Sequence, residues 1–216
     1  MRDALIKKSH GILLLFASSL AMAACSQESP TSDEGGVGMT AEDKSSEIVH
    51  ASFNEDGSVN QPDGWREWVF VGAPLTPNAL NGGEAPFPEF HNVYIEPSAY
   101  AAYSATGEFP EGTQIAKELT TVRENNNAEN GSSQEVSGVG YFQGEFSGLE
   151  LTVKDNQRFK DEPGGWAYFS FGHSTPYGKT ATAMPTDSCN ACHAASADDD
   201  FVFTQFYPVL RNAKPK

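Results

Sequence analysis

Near its C-terminus the chain reads Cys189-Asn190-Ala191-Cys192-His193, and no other stretch narrows its possible folds so far. Thiols at this spacing can each take a haem vinyl group while the adjacent imidazole reaches the iron. The rest of the chain must then supply a core and room for that group. Zinc would need a second pair of Cys or His ligands, and the only other cysteine, Cys25, stands at the end of a leader-like segment. A redox dithiol would need a βαβ context that the pattern along this chain does not provide.

Residues 1–24 have the layout of a secretory signal peptide. Arg2, Lys7 and Lys8 precede an apolar run from Ile12 to Leu20, too short to cross a bilayer, and small residues follow. Ala21-Met22-Ala23 suits cleavage of a soluble protein, whereas Ala23-Ala24-Cys25 resembles a lipoprotein box. The lipoprotein reading is preferred because it employs the odd cysteine and because a tether follows: residues 25–46 are rich in Ser, Glu, Asp and Gly and too polar to fold. A lipid on Cys25 would hold the protein at a periplasmic membrane surface with no transmembrane helix. Residues 47–216 remain as one haem-binding domain, long enough for a core. The formal net charge is −15, and loss of the leader's three basic and one acidic side chains takes it to −17. That balance argues against nucleic acid and anionic lipid as partners and suits a basic redox protein.

The hydrophobic pattern predicts a mainly β (α+β) domain, an antiparallel sheet with short helices and a C-terminal helical haem-attachment segment. Residues 65–71, 90–96, 113–121, 139–146, 149–153 and 166–171 read as strands. In the second of these His91, Val93 and Ile95 share a face, opposite Asn92, Tyr94 and Glu96. Pro97 opens a short helix through Tyr103, and Gly107 follows its end. Residues 125–137 read as a polar loop. The haem string starts a helix capped by Thr186 or Asp187. Residues 198–200 cap a last helix, with Phe203, Phe206, Tyr207 and Leu210 along one side and Pro208 kinking or shortening it.

No methionine follows His193 to serve as a second axial ligand; Met184 precedes the string too closely, and Met39 lies in the tether. His50, His91 and His173 are the other candidates. Failing them the iron has an open face, which means small-molecule binding or catalysis rather than simple electron transfer. Lys117 lies between Ile115 and Leu119 at i−2 and i+2, so its ammonium points toward an apolar face, where it is costly unless paired, neutralised or consumed. On pattern alone it reads first as a snorkelling lysine on an edge strand.

Further strings accompany these features: Gly64-Trp65-Arg66-Glu67-Trp68-Val69, Phe90-His91-Asn92-Val93-Tyr94-Ile95-Glu96-Pro97, Ala116-Lys117-Glu118-Leu119, Gly148-Leu149-Glu150, Val153-Lys154-Asp155 and Phe203-Thr204-Gln205-Phe206-Tyr207-Pro208. In this order, from Asp63 to Arg211, they resemble the cytochrome P-460 family. The resemblance implies a β-rich periplasmic homodimer whose haem c is attached through Cys189 and Cys192, with His193 on the iron. It also implies a bond from a lysine to the porphyrin edge, a position that Lys117 matches. The implied activity is oxidation of hydroxylamine, and of nitric oxide, to nitrous oxide or nitrite at the open iron site, with a cytochrome or similar redox protein accepting the electrons. Glu150 matches a carboxylate that moves protons from bound substrate. Related cytochromes c′-beta share the fold, lack the lysine and bind nitric oxide without that oxidation, so non-enzymatic nitric oxide binding or scavenging is the alternative. The best-known member has arginine where His91 stands. His91 therefore reads as a proton shuttle or hydrogen-bond donor, then as a satisfied core histidine, and last as a sixth iron ligand. His173 reads as a loop histidine.

Overall fold

The computed structural model describes residues 47–124 and 127–216; the leader, Cys25 and the tether lie outside them. A short β1 (Val59–Asn60) leads to β2 (Val69–Gly72), β3 (Phe90–Ile95) and β4 (Gln114–Val122). A hairpin of β5 (Ser133–Glu135) and β6 (Gly138–Gly140) precedes the long β7 (Gln143–Lys154), β8 (Trp166–Ser170) and β9 (Thr180–Ala181). Five of these form one antiparallel sheet in the order β2-β3-β4-β7-β8, and β1 pairs with β9. This is the mainly β, α+β architecture that the alternation predicts.

Alternation also sorts the two faces. Val93 lies opposite Lys117, and Lys117 opposite Glu150, so a row of cross-strand partners puts all three on one face. Ala116, Leu149, Leu151, Val153 and Phe169 point the other way and build a core with Val59 and Trp65. On the first face Val93, Ile95, Ile115 and Tyr168 pack with Tyr103 and Leu210, residues of the helices that cover it.

Those helices are α1 (Pro97–Thr106), α2 (Cys189–Ser196) and α3 (Pro208–Ala213). The α1 start is closed by the buried Glu96 carboxylate, which accepts from the Ser98 and Ala99 amides at 2.8 and 3.1 Å. Gly107, at φ 80°, ends it in the left-handed conformation. The C-terminal segment lies tight on β2. A side chain at Gly72 would stand 3.1 Å from the Phe206 carbonyl and 3.2 Å from the Pro208 ring.

Several expectations change. Residues 65–67 form a 3-10 turn, and extended structure begins only at Val69. Left-handed Gly64 turns the chain so that Trp65 is buried while Arg66 reaches across to Glu118 at 2.5 Å. Of the strand expected over 139–146, residues 139–140 close β6 and 143–146 join the strand expected over 149–153 in one β7, which begins at Gln143 and runs through Gly148; a register irregularity around Thr120 absorbs the misfit. The polar loop contains β5, because Ser132 and Ser133 are buried despite their polarity. No side chain caps α2; its N-cap position is Ser188, and Thr186 donates instead to Glu162 at 2.8 Å. Residues 198–200 start no helix. A 3-10 turn spans Thr204–Phe206, Pro208 opens α3, where its missing N–H costs nothing, and Phe206 is exposed. Lys117 belongs to the middle strand of the sheet, so it is no edge lysine. Among the described residues no helix is long and apolar enough to cross a membrane.

Candidate functional site

The C-x-x-C-H string forms α2, which puts Cys189 and Cys192 one turn apart as free thiols, the first half-buried and the second exposed. Asn190, between them, is buried and donates to the Trp166 carbonyl at 2.7 Å, fastening the helix to β8. His193 packs its ring between Tyr168 and Phe203, at centroid distances of 4.4 and 4.5 Å. Its Nδ1 lies 2.7 Å from the Phe201 carbonyl. Since a carbonyl only accepts, Nδ1 carries the proton and Nε2 keeps a lone pair. Burial pulls the His193 pKa below its ordinary value, the Lys117 charge works the same way, and the Phe201 hydrogen bond opposes them. The imidazole is accordingly neutral near pH 7, the form that binds a metal.

Facing α2 is the sheet. Both surround a cavity of about 650 Å³, with Cys189, Cys192 and His193 on one side and His91, Lys117 and Glu150 on the other. Val93, Ile115, Phe201 and Phe203 make much of the rest apolar. His91, Lys117, Glu150, Cys189, Cys192 and His193 therefore line one cavity. Lys117 Nζ is 2.6 Å from Glu150 Oε2, with the two side chains 20% and 21% exposed, and lies 3.9 Å from the centre of the Phe87 ring. A cation so largely removed from water needs such a partner. His91 Nε2 donates to the Phe87 carbonyl at 2.9 Å, and its ring meets Phe87 edge-on. Burial lowers the His91 pKa and the Lys117 charge lowers it further. His91 is thus at once a wall of the cavity and a satisfied histidine.

The cavity fits a haem. Its volume lies in the range of about 300–1,000 Å³ usual for cofactor sites, and thiols and a metal-ready imidazole project from one helix. The buried Tyr168 hydroxyl, which also lines it, has no protein partner. Residues 62–204 match the family model described as Cytochrome P460. The chain belongs to the cytochrome P460 family. No curated protein matches it. The P460 match takes in both walls, from β2 and β3 to the haem string, so the cavity is that of a haem cytochrome.

Among the described residues of this P460 cytochrome, the other histidines, His50 and His173, do not line its cavity. His50 packs against the turn at Gly112. His173 lines a neighbouring pocket of about 250 Å³, to which Phe87 and Glu150 also contribute. Glu150 therefore faces two spaces, and the sequence signal for His173 was no stronger than for any loop residue. Sequence reasoning also passed over Phe201 as a hydrogen-bond acceptor and Tyr168 as the ring against His193. Tyr168 follows from alternation along β8, but a backbone carbonyl leaves no signature in side-chain types.

Proposed function

We propose that this P460 cytochrome oxidises hydroxylamine to nitrous oxide or nitrite, and nitric oxide to nitrite. The observation that carries the reading is the directly opposed Lys117–Glu150 pair on the wall of the cavity that also holds His193. A haem held through Cys189, Cys192 and His193 would supply an iron that binds the substrate nitrogen and accepts its electrons. Lys117 would be consumed in a bond to the porphyrin edge, its nitrogen replacing a ring hydrogen as three protons and two electrons leave, the electrons going to an oxidant of the peroxide class; the product nitrogen is uncharged, and Glu150 is left without its counter-ion. An unpaired carboxylate at a half-shielded position is a ready proton acceptor, and hydroxylamine must lose protons as it is oxidised. His91, neutral and hydrogen-bonded to Phe87, fixes that wall and keeps its second ring nitrogen available. The Phe87 ring limits water at the lysine. An electron-accepting cytochrome takes the electrons onward.

Proteolysis followed by mass spectrometry should find the haem peptide joined to the peptide holding Lys117. Lys117→Leu should abolish both the join and hydroxylamine turnover with an artificial oxidant. If spectrum and turnover survive Lys117→Leu, the assignment is wrong. The apolar lining equally favours a bound gas, so a variant or wild-type protein that binds nitric oxide reversibly and turns over no hydroxylamine points to the nitric oxide-binding alternative. The proposal extends to location and assembly: a periplasmic lipoprotein anchored at Cys25, dimerising through the far face of the sheet, where Phe70 and Phe146 are exposed. Cys25→Ala should release it from membranes, and sedimentation should report two copies.

A further inference from the structure

The three aspartates before the last helix do not cap it, and two of them do something else. Asp199 Oδ2 accepts from the Tyr103 hydroxyl at 3.0 Å and from Lys214 Nζ at 2.7 Å. Asp200 Oδ2 accepts from Lys154 Nζ at 2.7 Å, and its Oδ1 from Trp166 Nε1 at 3.3 Å. Lys154 and Trp166 are cross-strand partners at the end of the β7–β8 ladder, and Lys154 also donates to the Phe109 carbonyl at 2.9 Å. Between these anchors the backbone does something unfavourable. Asp200 and Phe201 both have positive φ, 42° and 62°, a region that residues with side chains keep only when the surroundings impose it. The Phe201 ring lies over Gly164, where any Cβ would collide with it. The outcome of all this restraint is the position of one atom, the Phe201 carbonyl oxygen that accepts from His193 Nδ1 at 2.7 Å.

We propose that Asp200, gripped by Lys154 and Trp166, is a positioning residue that sets the donor strength of His193 and so the reduction potential of the haem. The inference rests on the reading of His193 as axial ligand. An acceptor on Nδ1 pushes electron density toward Nε2, strengthens its bond to iron and stabilises the ferric state. The turn itself is closed by the Val202 amide donating to the Asp199 carbonyl at 2.8 Å, and the side-chain clamp fixes where that turn sits against β7 and β8, so the tuning depends on the clamp.

The test uses purified holoprotein, with reduction potential and the iron–histidine stretching band of the ferrous form as readouts. In D200N and K154M the potential should rise and the band move to lower frequency, while K154R should stay near wild type. K154M is decisive in sign, because removing a positive charge would by electrostatics alone lower the potential. A fall in potential with an unmoved band, or no change in either readout in folded K154M, overturns the proposal. Should D200N not fold, K154M and K154R carry the same comparison. Absence of an iron–histidine band in the wild type would instead overturn the ligand assignment beneath it.

Discussion

Lys117 and Glu150 face each other across adjacent strands with hardly any water between them, and each residue's chemistry is set by the other. Glu150→Ala should leave the haem spectrum intact and slow hydroxylamine turnover by about 10²-fold or more, the usual worth of a positioned base; steady-state assay of the holoprotein measures it. His91 gives a prediction in pH. Its folded pKa is held below the ordinary 6.5 first by burial, and also by Lys117 for as long as that lysine keeps its charge. Below about that value the unfolded chain binds a proton here that the folded chain refuses, so stability falls as pH drops and the loss is complete below the folded pKa. Urea midpoints at pH of about 7.5 and 5 should differ less in His91→Phe than in the wild type. At this scale the sequence was informative about which side chains meet: the haem string, Lys117 and Glu150 line one cavity, on the faces that period-two counting gives them. It was silent about Phe201, whose contribution is a carbonyl, and it misread the aspartates beside it, whose partners come from 15 to 96 positions away.

Among the elements, α2 has one fully buried side chain, Asn190, within the haem string itself, and it hydrogen-bonds the helix to β8. Asn190→Ala would strip the buried Trp166 carbonyl of its donor, at a cost of about 1–3 kcal/mol. The expected result is a lower urea midpoint and a smaller fraction of chains carrying haem, read from absorbance against protein mass. Strands with strict alternation, β3 and β4 above all, were legible because the sheet they form is apolar on one face and encloses a cavity on the other. The Pro97 start and Gly107 end of α1 were legible from local chemistry. Short 3-10 turns were not, since residues 65–67 look as extended as the strand that follows, and only left-handed Gly64 separates them. Nor was the unbroken β7 legible, because Gly148 reads as a breaker until its neighbours are known. A side chain there would press on Leu119 and His173 at 3.0 and 3.2 Å.

For the whole molecule, the formal charge of −15 governs encounters more than stability. If a basic cytochrome takes the electrons, its second-order rate of reduction by this protein should fall steeply as salt is added, while an uncharged oxidant is indifferent; stopped-flow traces with both acceptors decide it. The architecture has a consequence for synthesis. The five-stranded sheet is complete at Ser170, yet the opposite wall of the cavity is drawn from residues 188–207. A ribosome that halts in that interval releases a chain with one wall and no other, its greasy face open to water. Premature stop codons late in the gene should therefore yield aggregated or degraded chains rather than a shortened cytochrome.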